Sequence, residues 1–275
     1  MTPDYSPARA LLAAARRHPD RLSLVDAVTG QEWTVREVAD TVARLARAFA
    51  EAGIGEGMRL AVIGANSPWH YIVHVAASWL RAVTVPLSPR MPASVLASMC
   101  AQVGASWVFH DEVSSPTALA LASAGLHRAS FGDLAAWVDR ATPMRTAPAR
   151  CGSELAAVLF TSGSTGTPRP VELTHEVMWW GSTNFREGFD YAPTSSVVGV
   201  CAPVSHIGGF NGTSMDVWTH GGTLVTLGFP GSFNARGVLD AIGRYRISMM
   251  FAVPAIVRAL VEEYKRGGGD LSSWV

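Results

Sequence analysis

The stretch FTSGSTGTPRPVELTH, Phe160 to His175, constrains this chain more than any other. Ahead of it, Leu155 to Phe160 is a short apolar run with the length and composition of a buried strand. Behind it, Thr174 is placed to cap a helix that begins at His175. The segment reads as a strand, a hydroxyl- and glycine-rich loop, and a helix start. Thr161, Ser162, Ser164, Thr165 and Thr167 put five hydroxyls within seven residues. Gly163 and Gly166 let the backbone approach a ligand closely. Successive N–H groups in such a turn form an anion-binding concavity, and a polyphosphate fits it. Composition alone also allows a plain polar surface turn. A Walker loop is excluded, because its glycines stand five apart and a Lys-Ser or Lys-Thr pair follows. Here the glycines are three apart, and Arg169 sits between Pro168 and Pro170.

The rest of the chain alternates short apolar runs with helical patterns, which predicts an α/β fold with largely parallel sheets. Thr34 to Glu37 is a capping box opening a helix with Val35, Val38, Val42, Leu45 and Phe49 on one face. Arg59 to Gly64 reads as a strand, and Asn66-Ser67-Pro68 starts the next helix with Pro68 at its first position. Val83 to Pro86, Ala105 to His110, Ser195 to Cys201, Gly222 to Gly228 and Ile247 to Val253 read as further strands. Asn234 to Tyr245 reads as a helix with Val238, Leu239 and Ile242 inward. The 275 residues, 48% hydrophobic, suffice for one large domain or two lobes. A boundary near 190 gives a first lobe of residues 1–190 and the start of a second over 191–275.

A formal net charge of zero gives no basic field for nucleic acid or an anionic membrane. Cys100, Cys151 and Cys201 are far apart and odd in number, which fits free thiols in a reducing compartment better than a disulfide framework. No signal peptide and no apolar run of ~18 residues is evident, so a cytoplasmic location without a spanning helix is expected. His70 and His74 stand i and i+4, a spacing able to bind metal. No glutamate follows His70, so ordinary packing is the expectation, and no metal-ligating residue is assigned. No Ser-His-Asp elbow is found, and no G-x-G-x-x-G follows a strand.

TSGSTG-x-P-R followed by LTH resembles the phosphate loop of the AMP-forming adenylating enzymes: acyl-CoA synthetases, adenylation domains of peptide synthetases, and luciferases. RLAVIGANSPWHYIVHVAASWLRAVTVPLSPRMP from Arg59, and VPAIVRALVEE from Val253, resemble other stretches of that family. APVSHIGGFN, Ala202 to Asn211, resembles the segment that lines the family's acyl pocket. The resemblance implies layered sheets with helices on both faces, as in the large N-terminal domain of these enzymes. It implies ATP, Mg2+ and coenzyme A as cofactors and a fatty or aromatic carboxylic acid as substrate. It places Thr161, Ser162, Gly163, Ser164, Thr165, Gly166 and Arg169 on the phosphates, with Thr165 and His206 as catalytic candidates. His206, Gly208, Gly209, Phe210 and Asn211 become the acid-binding candidates, His206 positioning the carboxylate and making room for the pantetheine arm. His206 is not assigned as a base, because carboxylates are already ionised at neutral pH.

Arg169 stands where the family usually has lysine and Pro170 where it usually has glycine. Proline removes an N–H and fixes φ. This motivates an alternative, a relative that binds acyl-adenylates and performs only the thiol step. A non-catalytic nucleotide- or acyl-binding module is the third reading. The sequence lacks the family's adenine-binding segment, its Thr-Glu motif, its ribose-binding Asp and its mobile C-terminal lid domain. The expectation is an N-terminal part acting with the remainder of the same polypeptide or a complementing chain. A homodimer is compatible with it.

Overall fold

The computed structural model describes residues 4–161, 168–229 and 233–274. Its strands are β1 (Leu22–Asp26), β2 (Glu32–Thr34), β3 (Arg59–Ile63), β4 (Val83–Leu87), β5 (Ala105–His110), β6 (His127–Ser130), β7 (Leu155–Thr161), β8 (Arg169–Thr174), β9 (Val197–Val200), β10 (Thr223–Thr226) and β11 (Met249–Met250). Helices alternate with most of them, giving the expected α/β class. The chain falls into two compact units that interleave in sequence. The first takes residues 1–10, 39–64 and 69–180, and the second takes 11–38, 65–68 and 181–275. The division expected at 190/191 is contiguous, whereas these units are not, because β1 pairs with β10 and so carries an early segment into the later sheet.

The first unit holds a sheet in the order β6-β5-β3-β4-β7-β8 among its described residues. All its pairings are parallel except β7 with β8. Every residue of β4, Val-Thr-Val-Pro-Leu, is buried, as expected of a parallel strand covered on both faces. Pro86 lacks a donor, and the β4–β7 ladder accordingly consists of one pair, Thr84 with Ala157. Ala61, Ile63, Val85, Leu96, Met99 and Val108 belong to one core cluster with Cys100, whose thiol burial pushes up to about 11. A thiol held that far above neutral is unreactive.

Helix Pro68–Trp79 starts at Pro68 as expected and, apart from the half-buried Trp69, is buried along its whole length. Its histidines are packed side chains. His70 meets the Phe131 ring edge-on at 5.6 Å between centroids, and His74 Nδ1 lies 2.7 Å from Thr84 Oγ1. The helix ends on a buried guanidinium: Arg150 Nε donates to the Ser78 carbonyl at 2.7 Å and its Nη2 to the Trp79 carbonyl at 2.8 Å. A cation at a helix C-terminus meets the negative end of the dipole and the orphan carbonyls there.

The second unit's sheet runs β11-β9-β10-β1-β2, parallel except for β2. Helix Ala235–Tyr245 begins as expected at Asn234, whose Oδ1 accepts from Gly237 N at 2.9 Å, and Val238, Leu239 and Ile242 are buried beneath it. The strand expected over Ile247 to Val253 contracts to Met249–Met250. The residue before Pro254 is held in extended conformation, and helix Pro254–Gly267 begins at that proline. No helix among the described residues is long and apolar enough to cross a membrane.

Candidate active site

The strand before the phosphate-loop candidate and the helix start at His175 are found as expected, but a further strand, β8, stands between them. Residues 169–174, expected as loop, form β8 antiparallel to β7, with Thr161 opposite Arg169, Phe160 opposite Pro170 and Leu159 opposite Val171. β8 was illegible because its first four residues are exposed and two carry charge, so no apolar alternation marks it. Such charge and proline are what edge strands carry. Pro170 therefore belongs to the edge strand, one residue beyond the pair that closes the loop. Thr161 Oγ1 donates to the Arg169 carbonyl at 3.5 Å, and both residues are exposed. Ser162, Gly163, Ser164, Thr165, Gly166 and Thr167 lie outside the described residues.

β7 runs parallel to β4, so the loop leaves the carboxyl end of a parallel strand, where open α/β sheets place ligands. β8 leads into helix His175–Phe189, capped as expected: Thr174 Oγ1 accepts from Val177 N at 3.3 Å. We expect Thr174→Ala to lower stability by about 1 kcal/mol in a urea titration. His175, the first helical residue, is buried, and burial holds its ring at about 4 with the Arg150 cation adding to the shift.

The acid-side candidates leave the carboxyl end of another parallel strand, β9. Cys201 to Ser205 lead to His206, which precedes the short helix Ile207–Phe210 in extended conformation. The His206 carbonyl accepts from Gly209 N at 3.1 Å and Phe210 N at 2.9 Å, while His206 N donates to the Pro203 carbonyl at 3.0 Å. Its side chain is exposed. Gly209 packs so closely on the Ala202 and Pro203 carbonyls that a Cβ would overlap both oxygens. A Cβ on Gly208 would stand 2.5 Å from the Phe251 ring. Phe251 meets Phe185 edge-on at 6.3 Å, and Phe185 stacks on Phe189 at 5.7 Å. Ile207, Phe251 and Phe189 keep 42%, 37% and 67% of their surface exposed, which gives the neighbourhood of His206 an apolar lining.

Phe210 and Asn211 are buried, so they shape the segment from beneath. Asn211 Oδ1 accepts from Ser182 Oγ at 3.3 Å, on helix His175–Phe189. The same helix sends Arg186 to the buried Asp216 at 3.2 Å, and Tyr191 OH donates to that carboxylate at 3.1 Å. Burial, with Asp216 beside it, pushes the Tyr191 phenol well up. Thus His206, Gly208, Gly209, Phe210 and Asn211 form one cluster in the second unit, and Thr161 with Arg169 form another in the first. Asn66 was missed. Read as a helix start, it instead turns its carboxamide onto residues 200–204: Nδ2 donates to the carbonyls of Val200 at 3.1 Å and Ala202 at 2.7 Å, and Oδ1 accepts from Val204 N at 3.0 Å. An asparagine just past a buried strand was the available signal. A cavity of about 910 Å3 elsewhere, lined by Arg47, Trp79, Met144 and Arg145, contains none of the candidate residues.

A sequence model of AMP-binding enzymes matches residues 11–275. The chain belongs to the AMP-binding enzyme family. Within the family, a feruloyl-CoA synthase from Amycolatopsis sp is 30% identical over 244 residues, covering 89% of this chain and 48% of that protein. An indoleacetate–CoA ligase from Aromatoleum aromaticum is 25% identical over 259 residues, covering 88% of this chain and 49% of that one. The chain thus spans about half the length of the curated family members it matches. A solved long-chain-fatty-acid-CoA ligase from Archaeoglobus fulgidus superposes with a TM-score of 0.88 at 20% identity, over 100% of this chain and 57% of that one. At that identity the likeness speaks to the fold, and the fold agrees.

Proposed function

We propose that this chain carries the phosphate-gripping and acid-binding parts of an enzyme that activates a carboxylic acid with ATP and passes the acyl group to coenzyme A. The observation that carries this is the antiparallel pairing of β7 with β8, which brings Thr161 opposite Arg169 at a carboxyl sheet end on either side of the SGSTGT sequence, in a chain that matches the AMP-binding family. In the first step a carboxylate oxygen bonds to the α-phosphorus of ATP as the bond to the β-phosphate oxygen breaks, releasing pyrophosphate. Negative charge grows on the leaving group, so fixed donors there lower the barrier. Arg169 and Thr161 flank the turn as a cation and a hydroxyl, and Ser162, Gly163, Ser164, Thr165 and Gly166 are assigned to the phosphates with them.

In the second step the thiol sulfur attacks the acyl carbonyl, AMP leaves, and the thiol proton passes to solvent. His206, exposed at the end of a pinned turn, is assigned to orienting the carboxylate and leaving space for the thiol arm. Magnesium would arrive on the ATP phosphates, as is usual for that ion, and share their charge. Feruloyl and indoleacetate are aromatic acids, and Ile207, Phe251 and Phe189 offer apolar surface for such a ring or for a fatty chain. The relatives are about twice the matched length. We assign the adenine contacts and the lysine-bearing lid to residues beyond the matched stretch, in the same polypeptide or in a complementing chain.

Pro170, the departure that motivated a thiol-step-only relative, stands on β8 opposite Phe160. The test supplies ATP, Mg2+, coenzyme A and a pool of aromatic and fatty acids to the natural polypeptide, with mass spectrometry for acyl-CoA. Acyl-CoA from the free acid is the expected result. Acyl-CoA only from a synthetic acyl-adenylate would favour the thiol-step relative, and none from either would leave a binding module.

A further inference from the structure

We propose that Asn66 is a positioning residue for the acid-binding turn: its carboxamide sets the backbone that presents His206. This rests on the assignment of His206 to the acid. At the end of the β9–β10 ladder, Leu227 N still donates to the Val200 carbonyl at 3.0 Å. One residue later, at Gly228, the chain comes so close to the Asn66 backbone that a Cβ on Gly228 would overlap the Asn66 carbonyl oxygen. Three peptide groups within residues 200–204 then also find a partner on one side chain. Asn66 donates twice, to Val200 and Ala202, and accepts once, from Val204. Two donors and an acceptor in one short planar group is a capacity that only the amide side chains have. The three bonds also fix which way the amide faces, since two carbonyls need the NH2 and one N–H needs the oxygen.

On the other side of the same turn Gly209 packs on the carbonyls of Ala202 and Pro203. Residues 202–204 are therefore clamped between Asn66 and the helix that follows His206. The His206 ring has no cap bond of its own, so the turn carries its placement. The clamp sets the backbone from which the His206 ring extends, and a shift of about 1 Å near reacting atoms can cost on the order of 100-fold in rate. Asparagine at 66 is thus tied to the acid side of the reaction, although it lies more than 130 residues from His206 in sequence.

The test compares wild type with Asn66→Ala and Asn66→Asp in the natural polypeptide. In both variants kcat/KM for the acid should fall by about 10- to 100-fold while KM for ATP moves less than about twofold. The aspartate variant should regain activity relative to wild type as pH falls, because a protonated carboxyl donates again to a backbone carbonyl. A general loss of folding would move acid and ATP parameters together and give no such recovery. Amide exchange at Val204 and the His206 ring signals in NMR supply a readout that needs no turnover. Faster Val204 exchange in Asn66→Ala, and shifted His206 signals in both variants, are expected, since aspartate still accepts from Val204 N and loses only the two donor bonds. Unchanged Val204 exchange in Asn66→Ala, or equal effects on acid and ATP, would overturn the proposal. A wild type without acid-dependent turnover would count against the proposed function, with the NMR result still deciding the clamp.

Discussion

Gly209→Ala should be among the most damaging single substitutions in the second unit. Its Cβ would overlap the carbonyl oxygens of Ala202 and Pro203, and neither can rotate away because both belong to the backbone. Relief requires the Ile207–Phe210 helix to lift from the turn that His206 ends. Overpacking of this kind costs about 3 kcal/mol, at the upper end of what a tightly packed site exacts. A urea titration should show the midpoint falling with the slope unchanged. Gly188→Ala is the control. Gly188 lies within helix His175–Phe189, and a Cβ added there would meet nothing inside 4 Å, so alanine should add about 0.5 to 1 kcal/mol. A Gly209→Ala protein as stable as wild type would mean the turn is not packed as described.

The second large effect is loss of stability in mild acid, centred on the first unit. His74 is fully buried and held at about 3, mainly by burial and further by His175. His175 is held at about 4, mainly by burial and further by Arg150. Both folded values lie below the unfolded value of about 6.5. The unfolded chain therefore binds protons that the folded chain refuses, and stability falls as pH drops from about 6.5 towards those folded values. Two such groups give a slope of up to about 2.7 kcal/mol per pH unit. Capping carboxylates of Glu37 and Asp133 are also held below their ordinary range, by the Thr34 and Ser130 backbone bonds first, so they act only at lower pH. Stability measured between pH 6.5 and 5.5, above the ordinary carboxylate range, isolates the histidines. His74→Gln should flatten that slope by about half, since each histidine accounts for about one proton of the difference. An unchanged slope would place the proton uptake elsewhere.

Much of the fold was legible because local signals and tertiary packing agree. The Thr34–Glu37 capping box is formed, with Thr34 N donating to Glu37 Oε2 at 2.7 Å and Glu37 N to Thr34 Oγ1 at 3.3 Å. Pro68, Asn234 and Pro254 start the helices their chemistry predicts. The strands that escaped notice, β6 and β8, are edge strands with exposed polar residues, so their partners and not their sequences define them. The interleaving of the two units was equally silent, because it depends on β1 pairing with a strand 200 residues later in register, Leu24 with Leu224. At the candidate site, the family resemblance named Thr161, Arg169 and the His206 segment as candidates. It could not name Asn66, Ser182 or Asp216, whose hydrogen bonds and ion pair exist only once distant segments meet.

The most direct measurement is carboxylate-dependent ATP–pyrophosphate exchange, with a mixed pool of aromatic and fatty acids, on the natural polypeptide beside the 275-residue chain. Exchange by the natural polypeptide that disappears without acid, and is lost when Arg169 and Thr165 are replaced, is the predicted result. The 275-residue chain alone should be silent, because it spans about half the length of the curated relatives it matches. Acid-independent exchange, or full exchange after both replacements, would contradict the assignment of the β7–β8 turn to the phosphates.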